Sequence, residues 1–237
     1  RMGRKLAKPP VMTLPYGSTL QTCTQTTFKW YTELKLEFFP KGTAFRHSIF
    51  MAKVIWESIS KVVIAARAAM AWLQKCARIL AKEDEPIIYT SPLGFPMVQF
   101  TPNMEKKSIE AQIGGRLQMQ ILKEVPGVDK YRAANGASPN LVHECDNTHM
   151  HMVVDQAVSE GMTHFAMIHD DFGTHACYID RFQEIIREQF VKLHSETNIL
   201  ADFKNQQEIR TGLQLPDVPT MGTLDLNEVL DSPFFFG

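Results

Sequence analysis

The sequence contains few cysteines, and none of them stand close together. Four occur in 237 residues, at positions 23, 76, 145 and 177, without a Cys-x-x-Cys pair. This spacing argues against a disulfide-stapled framework and predicts reduced thiols, as in an intracellular protein. The chain also lacks a run of about 18 uncharged apolar residues, so we expect no membrane-spanning helix. No signal-peptide pattern is present at its start.

Acidic residues are missing from the first 32 positions, where five Lys and Arg residues have no carboxylate to neutralise them. Residues 1–140 carry 20 Lys and Arg against 10 Asp and Glu, whereas residues 141–237 carry 5 against 16. The total charge of −1 therefore hides a basic part of +10 and an acidic part of −11. A basic segment of this kind attracts a polyanion such as nucleic acid, although a merely solvated surface can have the same composition.

Glycine and proline are absent between residues 48 and 82, and apolar residues recur there at helical spacing. A stretch this long predicts two helices or one bent helix. Residues 87–101 are rich in turn-forming residues, and we expect them to be extended. Alternating apolar and polar residues at 117–121 follow Gly114–Gly115, which predicts a β-hairpin with the two glycines in its turn.

The pattern changes near Pro139, after which we expect a helix that is capped within residues 146–148 and stops at Gly161. Beyond that helix the pattern predicts two strands and a further helix, at 163–168, 172–177 and 179–194. Near the start of the chain, we expect a helix from about Pro9 or Pro10, which Pro15 would end. Three phenylalanines close to the C-terminus are costly to expose, so we expect that end to dock.

Two adjacent carboxylates, Asp170 and Asp171, follow His169 between the two predicted strands. Like charges this close repel each other, and a divalent cation removes the repulsion. Mg²⁺ prefers one or two carboxylates together with phosphate oxygens. On the carboxylates alone, an ordinary solvated turn remains the alternative.

Arg4 and Lys8 form a second candidate site. They are four residues apart, so they share one face if this segment is helical. Two cations placed in this way can hold a triphosphate, and Tyr16 beyond them can stack on, or hydrogen-bond to, the rest of a nucleotide. By itself this pattern is weak.

Three strings carry a family resemblance. They are Val-Met-Thr-Leu-Pro-Tyr-Gly at 11–17, Pro-Asn-Leu-Val-His at 139–143 and His-Asp-Asp-Phe-Gly-Thr at 169–174. In this order, behind Arg4 and Lys8, they resemble the phage branch of the single-subunit RNA polymerase family, which also includes mitochondrial enzymes. The Phe-rich C-terminus resembles the family's terminal foot, so the similarity covers nearly the whole chain.

The resemblance implies roles for the matching residues in nucleotide binding. Asp170 would bind the catalytic Mg²⁺ ions of a two-metal mechanism. Arg4 and Lys8 would bind the incoming ribonucleoside triphosphate, and Lys8 would also donate a proton to pyrophosphate as a general acid. Tyr16 and Gly17 would lie near the ribose, where Tyr16 would favour ribonucleotides.

Other positions are implied near nucleic acid. His143 and His169 would lie beside the end of the RNA primer, and the terminal foot, with Phe236 and Gly237, would rest near the active site. The hairpin with Gly114–Gly115 takes the place of the family's promoter-reading hairpin, which enters the DNA major groove.

The sequence departs from the family pattern in several places. Asp171 stands where serine is expected, so it is either a neighbour of the site or an alternative metal ligand. Pro9 and Pro10 interrupt the expected nucleotide-binding helix, so Arg4 would precede its regular part. The second metal-binding aspartate of the family would lie upstream of Arg1, and we therefore expect a fragment that does not synthesise RNA by itself.

The expected fold is α+β. Residues 1–140 would form a mostly helical fingers region with an inserted β-hairpin, and residues 141–237 the C-terminal part of a palm with an antiparallel hairpin.

The complete enzyme would act as a monomer on double-stranded promoter and template DNA, with nascent RNA and ribonucleoside triphosphates as partners and no membrane. We expect it in the cytoplasm of a phage-infected host rather than in a mitochondrion. The alternatives are a related, family A-like DNA polymerase and an inactive nucleic-acid-binding fragment.

A last cluster has the pattern His-x-Cys-x3-His-x-His, from His143 to His151. These residue types can bind zinc, but their spacing fits no standard zinc site well. We therefore interpret these histidines as structural or as contacts to nucleic acid.

Overall fold

The computed structural model describes residues 2–33, 40, 42–112, 116–168, 171–233 and 235. Its helices are α1 (Met2–Thr13), α2 (Leu20–Glu33), α3 (Ala44–Val62), α4 (Ile64–Lys82), α5 (Lys130–Ser159), α6 (Ile179–Glu196), α7 (Ile199–Thr211) and α8 (Glu228–Asp231). Its strands are β1 (Ile87–Thr90), β2 (Pro96–Gln99), β3 (Pro102–Gln112), β4 (Arg116–Val128), β5 (Phe165–Ile168) and β6 (Asp171–Thr174). A 3₁₀ turn, Ala176–Tyr178, leads into α6. The mixture of helices and antiparallel hairpins agrees with an α+β fold.

Helix α1 begins earlier than the sequence predicts. It includes Arg4 and contains both Pro9 and Pro10, so the expected start at the prolines is wrong. A proline inside a helix costs about 3 kcal/mol because it lacks an N–H and its ring crowds the preceding turn. Tertiary packing offsets this cost, since Pro10 is fully buried and Leu6 packs on the apolar cluster of α2 and α3. The helix ends at Thr13, ahead of Pro15, as predicted.

The long stretch without glycine or proline forms two helices, which is the first of the two arrangements expected from the sequence. Helices α3 and α4 are separated by Val63, whose dihedral angles of φ −100° and ψ 62° leave the helical region. Arg67 from α4 reaches back across this break. It hydrogen-bonds to the hydroxyl of Ser60 and lies 5.6 Å from the ring centre of Trp56.

Helix α5 also begins much earlier than expected. Asp129 caps it, because its carboxylate accepts hydrogen bonds from the N–H groups of Tyr131 and Arg132 at 2.9 and 3.0 Å. The predicted cap within residues 146–148 is therefore wrong, and Pro139 lies inside the helix. The predicted stop is confirmed, since the helix ends at Ser159, just before the left-handed Gly161.

Three antiparallel hairpins supply the strands of the described residues. The β1–β2 hairpin is attached to α7, where Gln207 exchanges hydrogen bonds with both backbone groups of Ile88. The β3–β4 hairpin is longer and projects from the helices, because every side chain described between residues 104 and 124 is exposed. Its predicted turn at Gly114–Gly115 lies outside the described residues. The β5–β6 hairpin confirms the two strands expected at 163–168 and 172–177, but both are shorter than predicted, and Ala176 and Cys177 belong to the 3₁₀ turn instead.

Helix α5 connects the two larger parts of the core. Its first half packs against α4, β1 and α7 through Ala134, Ala137 and Leu141. Its second half packs against α6 and the β5–β6 hairpin through Val153 and Ala157. The boundary expected between residues 140 and 141 therefore falls inside one continuous helix. None of the helices described is long and apolar enough to cross a membrane.

Candidate functional site

Helix α1 presents the first two candidate residues. Arg4 and Lys8 are four residues apart on this helix and are both exposed, so they lie on one face. In the part of the chain that the structure describes, neither side chain has an acidic partner within ion-pair distance. This face therefore has two cations that can bind an anionic group.

The turn after α1 is fixed to α5. The hydroxyl of Ser138, which is only 3% exposed, donates a hydrogen bond of 2.6 Å to the carbonyl of Pro15. Gly17 closes the turn with φ +79°, and the Asn135 carbonyl would lie 3.6 Å from a Cβ at this position. Asn135 is four residues before Pro139, which has no N–H to offer this carbonyl. The proline inside α5 thus coincides with the place where the turn docks.

The docked turn brings two predicted site residues together. The ring of Tyr16 stacks on the ring of His143 from α5, with 5.0 Å between the ring centres and 27° between the planes. Tyr16 is 40% exposed, and His143 is exposed as well. The two rings are thus partly open to solvent and form a flat aromatic surface next to the end of α1.

The second candidate segment lies on the β5–β6 hairpin. His169 and Asp170 lie outside the described residues, so the structure gives no position for the predicted metal ligand. The flanking strands are paired, with Ile168 opposite Asp171, and the Asp171 side chain is exposed. Phe172 anchors this hairpin, with its ring centre 6.4 Å from that of Phe182, which is fully buried.

The histidine cluster on α5 is divided among separate contacts. His149 is buried and its Nε2 lies 2.8 Å from the carbonyl of Ile186, while Nδ1 of His151 lies 2.8 Å from the carbonyl of Asn147. Burial lowers the pKa of His149, which favours its neutral ring. Among the residues described, no three His, Cys, Asp or Glu side chains are grouped so that they could hold a metal ion.

The C-terminal end contacts α6 through Phe235. Its ring centre lies 4.9 Å from that of Phe190, at an angle of 68°, and it packs on the cluster of α5 and α6. The expected docking of the Phe-rich end is therefore observed at this residue. Phe236 and Gly237 lie outside the described residues.

The part played by Ser138 was not predicted, because nothing in the local pattern indicates a partner 123 residues away. The contact between Tyr16 and His143 could likewise be predicted only through the family resemblance.

The sequence of this chain is similar to those of known polymerases. The model of the family described as DNA-dependent RNA polymerase matches residues 1–212. DNA-directed RNA polymerase 2, chloroplastic/mitochondrial, of Arabidopsis thaliana is 35% identical over 239 residues, which is all of this chain and 23% of that protein. DNA-directed RNA polymerase 3B, chloroplastic, of Nicotiana tabacum is 35% identical over 246 residues, or 24% of its length. DNA-directed RNA polymerase 2A of Nicotiana tabacum is 32% identical over 243 residues, or 70% of its length. The chain thus spans about a quarter of the first two relatives.

Proposed function

Because this chain belongs to the phage-type DNA-dependent RNA polymerase family, we propose that it carries the nucleotide-binding part of an enzyme that transfers ribonucleoside monophosphates to the 3′-hydroxyl of RNA on a DNA template. The observation that carries this proposal is the stack of Tyr16 on His143, in the turn that directly follows the helix bearing Arg4 and Lys8. A triphosphate needs cations, and the attached nucleoside needs a flat surface. The first segment of the chain supplies both within one helix and the turn that follows it.

Each residue has a defined task in the proposed mechanism. Arg4 and Lys8 bind the triphosphate through charge-assisted hydrogen bonds, which are stronger than neutral ones. Tyr16 places the ribose and favours a ribonucleotide, and Gly17 lets the chain turn close to α5. The ammonium group of Lys8 donates a proton to the leaving pyrophosphate.

The carboxylate pair is the proposed metal-binding part. Asp171 is exposed at the start of β6, directly after Asp170 in the chain, so the hairpin offers hard oxygen donors of the type that Mg²⁺ prefers. We propose Asp170 as the metal ligand, with His169 near the primer end. Bound Mg²⁺ would stabilise the charge of the triphosphate and activate the 3′-hydroxyl.

The exposed β3–β4 hairpin supports a nucleic-acid partner. Lys107 and Lys123 share one face of it, as the pairing of Lys107 with Ile121 and of Glu105 with Lys123 shows. A two-stranded ribbon has the dimensions to enter the major groove of DNA. We propose double-stranded promoter DNA as the partner of this hairpin, with template and nascent RNA near His143 and the terminal foot near Phe236 and Gly237. The fingers and palm assignments of residues 1–140 and 141–237 are part of the same proposal.

A binding experiment tests the nucleotide site directly. The 237-residue chain is titrated with ATP and Mg²⁺ by calorimetry, and the same titration is made with Arg4→Ala and Lys8→Ala. A hydrogen bond to a charged group contributes roughly 1.5–3 kcal/mol, so each change should weaken binding by about tenfold or more. Lys61→Ala, which removes a cation in the last turn of α3, is the matched control and should bind as the wild type does. Equal affinity in all four proteins would contradict the proposed site.

Synthesis needs a longer protein than these residues. We expect residues 1–237 alone to make no RNA, because the resemblance places the second metal aspartate outside them. A chimera in which they replace the matching segment of the Arabidopsis relative is the test of activity. Incorporation of ribonucleotides distinguishes this function from that of a DNA polymerase, which would incorporate deoxyribonucleotides. A chimera that binds DNA but incorporates neither would favour a fragment that only binds nucleic acid.

The proposed place of action has two alternatives. The resemblance to the phage branch favours the cytoplasm of an infected host, whereas the relatives found here are described as chloroplastic or mitochondrial. Detection of the protein in its own source cells with an antibody raised against residues 1–237, compared between the cytosol and organelles, separates these alternatives.

A further inference from the structure

Two cavities share a pair of buried polar residues in their lining, and the first of them is also lined by His143. The first, of about 280 Å³, lies between β2 and α5. The second, of about 220 Å³, lies between α5, α7 and the residues after β1. Tyr89 and Glu144 line both cavities, and they are only 7% and 4% exposed.

The charge of Glu144 has little compensation from the protein. Among the described residues its one hydrogen-bond donor is the hydroxyl of Thr148, at 3.1 Å, and no Lys or Arg lines either cavity. Asp202, which lines the second cavity, adds another carboxylate. A buried carboxylate without a counter-charge is costly. The local field in both cavities therefore favours a cation.

The other polar groups that line the first cavity are the hydroxyl of Tyr89, the side-chain amides of Gln99, Asn140 and Asn147, and the imidazole of His143. The hydroxyl of Tyr89 is buried and has no hydrogen-bond partner in the described part of the chain. Gln99 donates its amide N–H to the carbonyl of Ala133 at 3.0 Å and lines the cavity, where its carbonyl oxygen is a further acceptor. Asn140 and Asn147 add two further amide oxygens to the lining. Oxygen acceptors around one carboxylate suit a hard cation.

We propose that the site at Tyr89 and Glu144, which line both cavities, binds a hydrated divalent cation. The larger cavity is much wider than a bare ion, whereas six waters take up about 180 Å³ of liquid, which fits within it. Mg²⁺ gives up its waters reluctantly and is often held by only one or two carboxylates. Glu144 balances the charge of the ion, and Tyr89 and the amides accept hydrogen bonds from its waters.

This site needs no dense cluster of acidic ligands, and it is independent of the proposed polymerase function. The binding it predicts is weak, with a dissociation constant on the order of 1 mM, because most contacts run through water. Its expected consequence is a stabilisation of the packing between the β1–β2 hairpin and α5, since the ion binds only the folded chain.

Electron paramagnetic resonance with Mn²⁺ tests the proposal on the 237-residue chain. The bound ions are counted in the wild type, in Glu144→Gln, in Asp170→Asn and in the double variant. We expect Glu144→Gln to weaken one class of sites at least tenfold, and Asp170→Asn to leave that class intact. Glu57→Gln, on the exposed side of α3, is the matched control and should bind as the wild type does. The failure of the catalytic metal site therefore remains distinguishable from the failure of this one.

Tyr89→Phe keeps the ring and removes only the hydroxyl. This variant replaces Glu144→Gln in the binding test if Glu144→Gln does not fold. It should weaken the same class of sites by about threefold or more. The Mn²⁺-dependent rise in melting temperature should shrink in parallel. Mn²⁺ binding that is unchanged in both variants would overturn the proposal. So would the absence of binding at Mn²⁺ concentrations up to about 20-fold above the expected dissociation constant. Either result would leave cavities filled by water alone.

Discussion

The hydrogen bond between Ser138 and Pro15 provides a sharp test of how the proposed nucleotide site is built. Ser138→Ala removes the hydroxyl that donates to the Pro15 carbonyl at 2.6 Å. Ser138 is 3% exposed, so water does not easily replace the lost donor. A buried acceptor left without its partner costs about 1–3 kcal/mol. If about 1.4 kcal/mol of this cost destabilises the docked turn, the equilibrium constant between the docked and undocked turn falls by about tenfold.

The expected result is a loss of ATP affinity of up to about tenfold, because the turn carries Tyr16 to its place on His143. Calorimetry with ATP and Mg²⁺ measures the affinity, and urea unfolding measures the accompanying loss of stability. Ser159→Ala is a matched control on the same helix. Its hydroxyl also donates at 2.6 Å, but to the nearby carbonyl of Gln156 at the exposed end of α5. Unchanged ATP affinity in Ser138→Ala, with a stability loss no greater than that of Ser159→Ala, would refute the reasoning.

Three further predictions concern the turn, a helix cap and an ion pair. Gly17→Ala forces a left-handed residue with φ +79° to carry a Cβ, which should cost roughly 1–2 kcal/mol of stability and lower ATP affinity in calorimetry. Asp129→Ala removes the acceptor of two N–H groups of α5 and should lower the free energy of unfolding in urea by about 1 kcal/mol. Hydrogen bonds from Arg181, and then from Gln156, lower the pKa of Glu160 to about 2. The stabilising effect of this ionised carboxylate should be present above its unfolded pKa and be lost as the pH falls toward 2, and Arg181→Ala should flatten this part of the urea profile.

Each of these predictions has a matched control. Gly42 has φ +82° and open space around it, so Gly42→Ala should cost similar stability without changing ATP affinity; equal affinity losses would argue against a specific role for Gly17. Asp129→Asn keeps an acceptor and should retain most of the stability, and a loss as large as that of alanine would argue against the cap. If wild type and Arg181→Ala lost stability in parallel from pH 5 to pH 2, the ion pair would not explain the low pKa of Glu160.

Local sequence patterns were sufficient for the elements whose signals lie within one segment. The helical character of residues 48–82, the extended character of residues 87–101, the strand pattern at 117–121, the two strands on either side of His169–Asp170 and α6 follow from spacing and turn residues. The starts of α1 and α5 did not follow, because proline is usually a boundary and here it lies inside both helices. Burial of Pro10 offsets the cost in α1, and the Asp129 cap fixes the start of α5 ten residues before Pro139. Such packing depends on residues far away in the chain, which no local pattern contains.

The candidate site also contains one feature that local spacing predicts and one that depends on contacts between distant residues. That Arg4 and Lys8 share a face follows from their spacing once the segment is helical. That Tyr16 meets His143 does not follow from any spacing, because 126 residues of chain lie between them. The resemblance to the polymerase family suggested both residues, and the turn docked by Ser138 gives the physical reason for their contact.

The measurement that tests the account most directly is RNA extension by the chimera with Asp170→Asn. If Asp170 binds Mg²⁺ opposite a triphosphate held by Arg4 and Lys8, this variant should still bind ATP but extend no RNA, while Asp155→Asn, an exposed carboxylate on α5, should extend it normally. RNA extension by Asp170→Asn at a rate near that of the unmodified chimera would contradict the account.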